Sequence, residues 1–202
     1  MTSQFQYVTW GEPADARLPG AAFPPKVTNT DQFWLRMTRD LIGLSATRRR
    51  TRASSALAKR DGQIIAAAVD GFPPCVNNSA ARQEDPTCWD GMHLSAEAAL
   101  VSHAALHGNS LRGSTVYCWP MLSSCHDASL LIAAGVSVIV EPDCQVPASR
   151  EEARRLIRSM AAEAGVLLVK EQFDAIFGAQ YETCGENLSE PSHAPESPPD
   201  QP

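Results

Sequence analysis

The segment "CWDGMHLSAEAALVSHAALHG", Cys88 to Gly108, holds the densest set of residues able to do chemistry. Glu97 lies at the start of an apolar helical run, with His93 before it and His103 and His107 behind it. A carboxyl group beside nitrogen or sulfur donors suits zinc hydrolysis. Three protein ligands hold the metal, water takes the fourth position, and the carboxylate carries protons. Ser95 stands where such a site needs a ligand, and a neutral hydroxyl is a poor zinc donor beside imidazole or thiolate. An acidic residue in a helix's first turn also favours the macrodipole, whatever the function.

A second segment, "YCWPMLSSCHDASLL" from Tyr117 to Leu131, offers Cys118, Cys125 and His126. Cys125 and His126 are adjacent, so one helix turn could present a thiolate or an imidazole. Together with His93 they are the candidate metal ligands. His93 reaches such a site only if the loop register or the helix start shifts; otherwise it is a loop residue. His103 and His107 are four apart on one helix but lie behind the Glu97 turn. Trp119 and Trp89 could stack on a base, and core packing is the alternative for each. Arg48, Arg49, Arg50 and Arg52 form the one dense basic cluster, suited to a phosphate or to a solvated loop.

The elements that must position these residues follow from periodicity. Thr28 or Thr30 can cap a helix over "DQFWLRMTRDLIGLSA", whose Phe33, Trp34, Met37, Leu41 and Leu44 form an apolar stripe. The runs "SSALA" and "QIIAAAV" flank Asp61-Gly62, which predicts a β-hairpin. Asp70-Gly71-Phe72-Pro73-Pro74 ends the second strand. Residues 75–92 read as a polar loop. Ser95 is a suitable N-cap for a helix reaching Leu106. "STVYCW" reads as a buried strand, 124–134 as a helix and "VSVIVE" as another buried strand. "ASREEARRLIRSMAAEAG" is a helix closed by Gly165, "VLLVKE" a final strand and "QFDAIFGA" a short last helix. Alternating strands and helices imply an α/β fold with a partly parallel sheet and helices on both faces.

Composition narrows the function classes. The chain has 202 residues and a net charge of −6, with no Lys or Arg beyond Lys170. The acidity is concentrated in the tail at Glu182, Glu186, Glu190, Glu196 and Asp200, which leaves the folded part near neutral. That balance argues against extensive binding to nucleic acid. No apolar run is long enough for a membrane span and no secretory leader is visible, so a cytoplasmic location is expected. Six scattered cysteines without a C-x-x-C pair read as free thiols. Three segments result: a Pro- and Gly-punctuated extension over 1–28, a domain over 29–180, and a disordered acidic tail over 181–202.

The ordered set of elements resembles the cytidine/deoxycytidylate deaminase superfamily, most closely its dCMP-deaminase-like branch, over roughly residues 31–170. The resemblance rests on "SALAKRDGQIIAAAVDGFPP", on "AEAALVSHAALHG", and on "STVYCW" followed by "ASLLIAAGVSVIV". It implies a three-layer α/β/α sandwich with a mixed sheet of about five strands. It also implies zinc held by one His and two Cys, with Glu97 as proton shuttle. The family places His-Ala-Glu at one helix start and Pro-Cys-x-x-Cys at the next. Here Ser95 occupies the His position, and the second motif is absent in every register. Counting from Tyr117 puts Ser123 and His126 at the two Cys positions. Counting back from Gly135 puts Ser124 and Asp127 there. Anchoring on Pro120 gives Met121 and Cys125. Asp70 replaces the Asn that contacts the nucleoside sugar; as a substrate-binding candidate its carboxylate could still accept a ribose hydroxyl, but it would repel a nearby phosphate, and a plain Asp-Gly turn is the alternative. In this branch an Arg-rich segment lies near the nucleotide, which makes Arg49 and Arg50 candidates for phosphate binding and Trp119 a candidate for the base.

Two expectations follow. One is a deaminase-fold protein without a standard zinc site, inactive or altered, that binds a pyrimidine nucleotide or nucleoside or serves as a partner subunit. The other is an active dCMP- or cytidine-type deaminase with a non-standard Zn2+ site. The resemblance also implies a homo-oligomer.

Overall fold

A computed structural model of the chain describes residues 29–44, 53–122, 124–144 and 146–172. The extension over 1–28, the arginine cluster with Arg49 and Arg50, Ser123, nearly all of the expected last helix, and the acidic tail lie outside the described residues.

The chain opens with α1 (Asn29–Leu41) and one 3-10 turn (Ile42–Leu44). The hairpin β1 (Ser55–Arg60) and β2 (Gln63–Val69) follows, joined at Asp61 (φ 52°) and Gly62 (φ 78°). Two successive left-handed residues are what a two-residue type I′ turn demands, hence Asp-Gly. Residues 75–92, expected as a loop, instead contain α2 (Ala80–Glu84) and α3 (Pro86–Met92). The cause is local. Asp85 caps α3 by accepting from the N–H groups of Thr87 and Cys88 at 2.9 and 3.4 Å, and Pro86 supplies a helical φ at the first position.

Then come α4 (Ala96–Leu106), β3 (Thr115–Trp119), α5 (Cys125–Ala133), β4 (Val138–Pro142), α6 (Glu151–Ala164) and β5 (Leu167–Glu171). Gly165 (φ 69°) closes α6, with the Val166 N–H reaching the Ala161 carbonyl at 2.8 Å. The sheet order is β2-β1-β3-β4-β5. β1 runs antiparallel to both neighbours, whereas β3, β4 and β5 are parallel. A parallel pair needs a crossover, and α5 and α6 supply the two.

Strand alternation divides the core. Ala56, Ala58, Val116, Cys118 and Ile139 face Leu100, Leu131 and Ile157 of α4, α5 and α6. Leu57, Tyr117 and Val140 face Leu35 of α1 on the other side. The result is the expected α/β/α sandwich on a mixed five-stranded sheet. Small residues at Ala56, Ala58, Ala66, Ala96 and Ala104 line the contact of α4 with the hairpin. The Tyr117 hydroxyl, on the α1 face, donates to Asp31 at 2.6 Å and ties the start of α1 to the sheet. No described helix is long and apolar enough to cross a membrane.

Candidate functional site

The helices α4 and α5 begin side by side, near the ends of β2 and β3. At that junction each N-cap is a serine. Ser95 Oγ accepts from the Ala98 N–H at 3.1 Å, and Ser124 Oγ accepts from the Asp127 N–H at 3.1 Å. Both hydroxyls then turn to one acid. Ser95 Oγ donates to Asp127 Oδ1, and Ser124 Oγ donates to Oδ2 at 2.6 Å. Asp127 is only 4% exposed, so its carboxyl relies on these partners rather than on water. Of the three registers drawn from sequence, the one counted back from Gly135 names the two residues that meet Ser95 here.

Glu97 lies beside this cluster at 0% exposure. Neither of its carboxyl oxygens has a hydrogen-bond partner of good geometry. Burial first, and then the charge of Asp127, push its pKa up to about 8; Asp70 adds to this, while its own backbone N–H and the Cys118 thiol pull partly the other way. Glu97 is therefore a neutral acid near pH 7. The Cys118 thiol is fully buried and is also pushed up, by burial first and then by the charge of Glu97.

Asp70 directly follows β2 and is itself buried. It is fixed by the Asp70 N–H to the Ser54 carbonyl at 3.0 Å, and by paired backbone hydrogen bonds between Gly71 and Leu94 at 3.1 and 2.8 Å. These bonds bring His93 over the acid, with Nε2 3.4 Å from Asp70 Oδ2. The His93 ring stacks on Trp89 with centroids 4.3 Å apart, and Phe72 meets Trp89 at 5.7 Å. Phe72, Trp89 and His93 thus tether α3 beside Asp70.

The remaining candidates lie apart. The Cys125 thiol points to the Ala153 carbonyl of α6 at 3.5 Å, and His126 is exposed. With His93 on Asp70, the three residues do not form one ligand set. Among the described residues no group of three or more His, Cys, Asp or Glu is arranged to hold a metal. Trp119 is buried with Ile42 and Ala53. His103 and His107 are exposed toward the far end of α4, their rings 4.3 Å apart. In the sequence Asp127 stands out only through the register counted back from Gly135, one of three, and nothing there marks it as the acid that both serines bond.

A zinc ion does not fit the donors at this junction. The donors are two neutral hydroxyls and a carboxylate, where zinc prefers imidazole and thiolate, and both hydroxyls are committed to Asp127. One further buried pair shapes the surroundings. Arg154 of α6 holds Glu141 through two guanidinium nitrogens, and Glu141 Oε2 accepts from the Leu122 N–H at 3.2 Å. This anchors the segment leading from β3 into α5.

No family model and no curated protein matches the chain. Solved structures do. The dCMP deaminase of cyanophage S-TIM5, in complex with dCMP and dUMP, aligns with a TM-score of 0.55 at 16% identity, over 74% of this chain and 100% of that one. Its apo form aligns with a TM-score of 0.51 at 17% identity over the same shares, 74% and 100%. At these identities the likeness is one of fold: the chain has the fold of these dCMP deaminase structures.

Proposed function

We propose that this chain is a deaminase-fold protein without the zinc hydrolysis of that family, acting as a nucleoside- or nucleotide-binding protein or as a partner subunit. One observation carries the reading: Ser95, Ser124 and Asp127 meet at the starts of α4 and α5 and satisfy one another. In the register counted back from Gly135, these are the positions of the His and the two Cys that the resemblance implies. A three-ligand site loses its purpose once two ligands go, which accounts for all three differing together. Asp70 disfavours a phosphate beside it, so a nucleoside or free base suits this end of the site better than a nucleotide does.

The competing reading is an active deaminase with an altered metal centre. Glu97 favours it, because a buried acid held neutral near pH 7 is suited to proton transfer. Ammonia release from dCMP, cytidine and cytosine separates the two. The proposal expects none above background, together with measurable binding of at least one of these compounds by calorimetry or a stable complex with an active deaminase. Turnover that Glu97→Ala abolishes establishes the competing reading instead.

A further inference from the structure

The Ser95–Asp127–Ser124 cluster does more than leave out a metal. We infer that Asp127 is a hydrogen-bonded cross-link that fixes the starts of α4 and α5 to one another, the mechanical part of what a metal held at that junction would do. The cross-link rests on the geometry alone. Only the claim that it replaces a metal rests on the reading above, through the three ligand positions.

Ser95 Oγ caps α4 through Ala98 and donates to Asp127 Oδ1; Ser124 Oγ caps α5 through the Asp127 N–H and donates to Oδ2. Each hydroxyl therefore spends one lone pair on its own helix and its single proton on the shared acid. Asp127 belongs to α5, so its hydrogen bond to Ser95 is the contact between the two helices; the one to Ser124 holds the carboxyl group in position. The acid also lies at the N-terminal ends of two helices, where both macrodipoles favour negative charge. A buried carboxyl group with both oxygens bonded is rigid. A neutral network of the same shape would lack the dipole contribution.

Glu97 supplies the independent observation. It lies on α4 close enough to feel Asp127, yet neither of its oxygens has a hydrogen-bond partner of good geometry. The hydroxyls at the junction go to Asp127 and not to Glu97, so the cluster is closed on itself. The positioning residue is Asp127, and Glu97 is left without a charge partner.

Two experiments test this. The first is a double-mutant cycle with Ser95→Ala and Ser124→Ala, read as thermal midpoints. Each change alone should lower the midpoint by about 2–8 °C. Once either hydroxyl is gone the link is loosened, so the double variant should lose clearly less than the sum of the two. Additive losses mean two independent helix caps and overturn the cross-link. The second rebuilds the metal set with Ser95→His, Ser124→Cys and Asp127→Cys in one chain. The folded triple variant should take up about one zinc per chain with a rise in midpoint, as structural zinc stabilises what it binds. A triple variant that folds, by circular dichroism, and takes up no more zinc than the original chain overturns the claim of replacement. If it does not fold, the cycle decides alone. Zinc bound by the original chain instead defeats the proposed function and leaves the result of the cycle standing.

Discussion

Glu97 should make the protein less stable as pH rises through the neutral range, and Glu97→Gln should remove that loss. In the unfolded chain a glutamate titrates near 4.5, whereas in the fold Glu97 holds its proton until about 8. Between those values the unfolded state has released a proton that the native state keeps. Stability falls with rising pH wherever the unfolded state binds fewer protons, so the sign is a loss that starts near pH 4.5 and is complete near pH 8. At about 1.4 kcal/mol per pH unit the whole interval corresponds to about 5 kcal/mol, and relaxation of the site makes about 2–5 kcal/mol the expected range. A neutral Gln keeps the size and the buried polar character of protonated Glu97 but cannot ionise. The two proteins should therefore be nearly equal in urea denaturation at pH 5 and separate steadily to pH 8, with the Gln variant the more stable. Other carboxyl groups titrate in both proteins and cancel in the difference. Parallel stability curves across this range would refute the argument, because they mean that Glu97 ionises as freely in the fold as in the unfolded chain.

Other changes probe the framework around the site. Arg154→Ala leaves Glu141 buried without its partner and should cost about 3–5 kcal/mol in urea denaturation, with faster amide exchange at Leu122, whose N–H that acid accepts. Tyr117→Phe removes the hydroxyl bond to Asp31 and should cost about 1–2 kcal/mol, with the loss of amide protection concentrated at the start of α1.

Local signals carried most of the fold. Asp61-Gly62 between two apolar runs, Ser95 ahead of "AEAALVSHAAL", and Gly165 after an amphipathic run are each resolved within a few residues, and each element forms where it was expected. The short helices α2 and α3 did not show, because five and seven residues are too few for a periodic stripe. Their signals lay in a cap, Asp85-Pro86, embedded in polar sequence. The site was harder to read for a different reason. Ser95 and Asp127 are 32 residues apart, and only the side-by-side start of two helices makes them neighbours. Counting registers gave three answers, and spacing alone has no means of choosing among them. Trp119 shows the reverse case: an aromatic suited by type to a base lies in a small buried cluster with Ile42 and Ala53, set by where β3 ends.

The central claim is that the junction of α4 and α5 is held by Ser95, Asp127 and Ser124 in place of a metal. Elemental analysis of zinc in the purified chain, after dialysis against zinc-containing and then metal-free buffer, tests it most directly. The account predicts far less than one zinc per chain. About one tightly held zinc per chain, lost together with dCMP deamination on chelation, would contradict it.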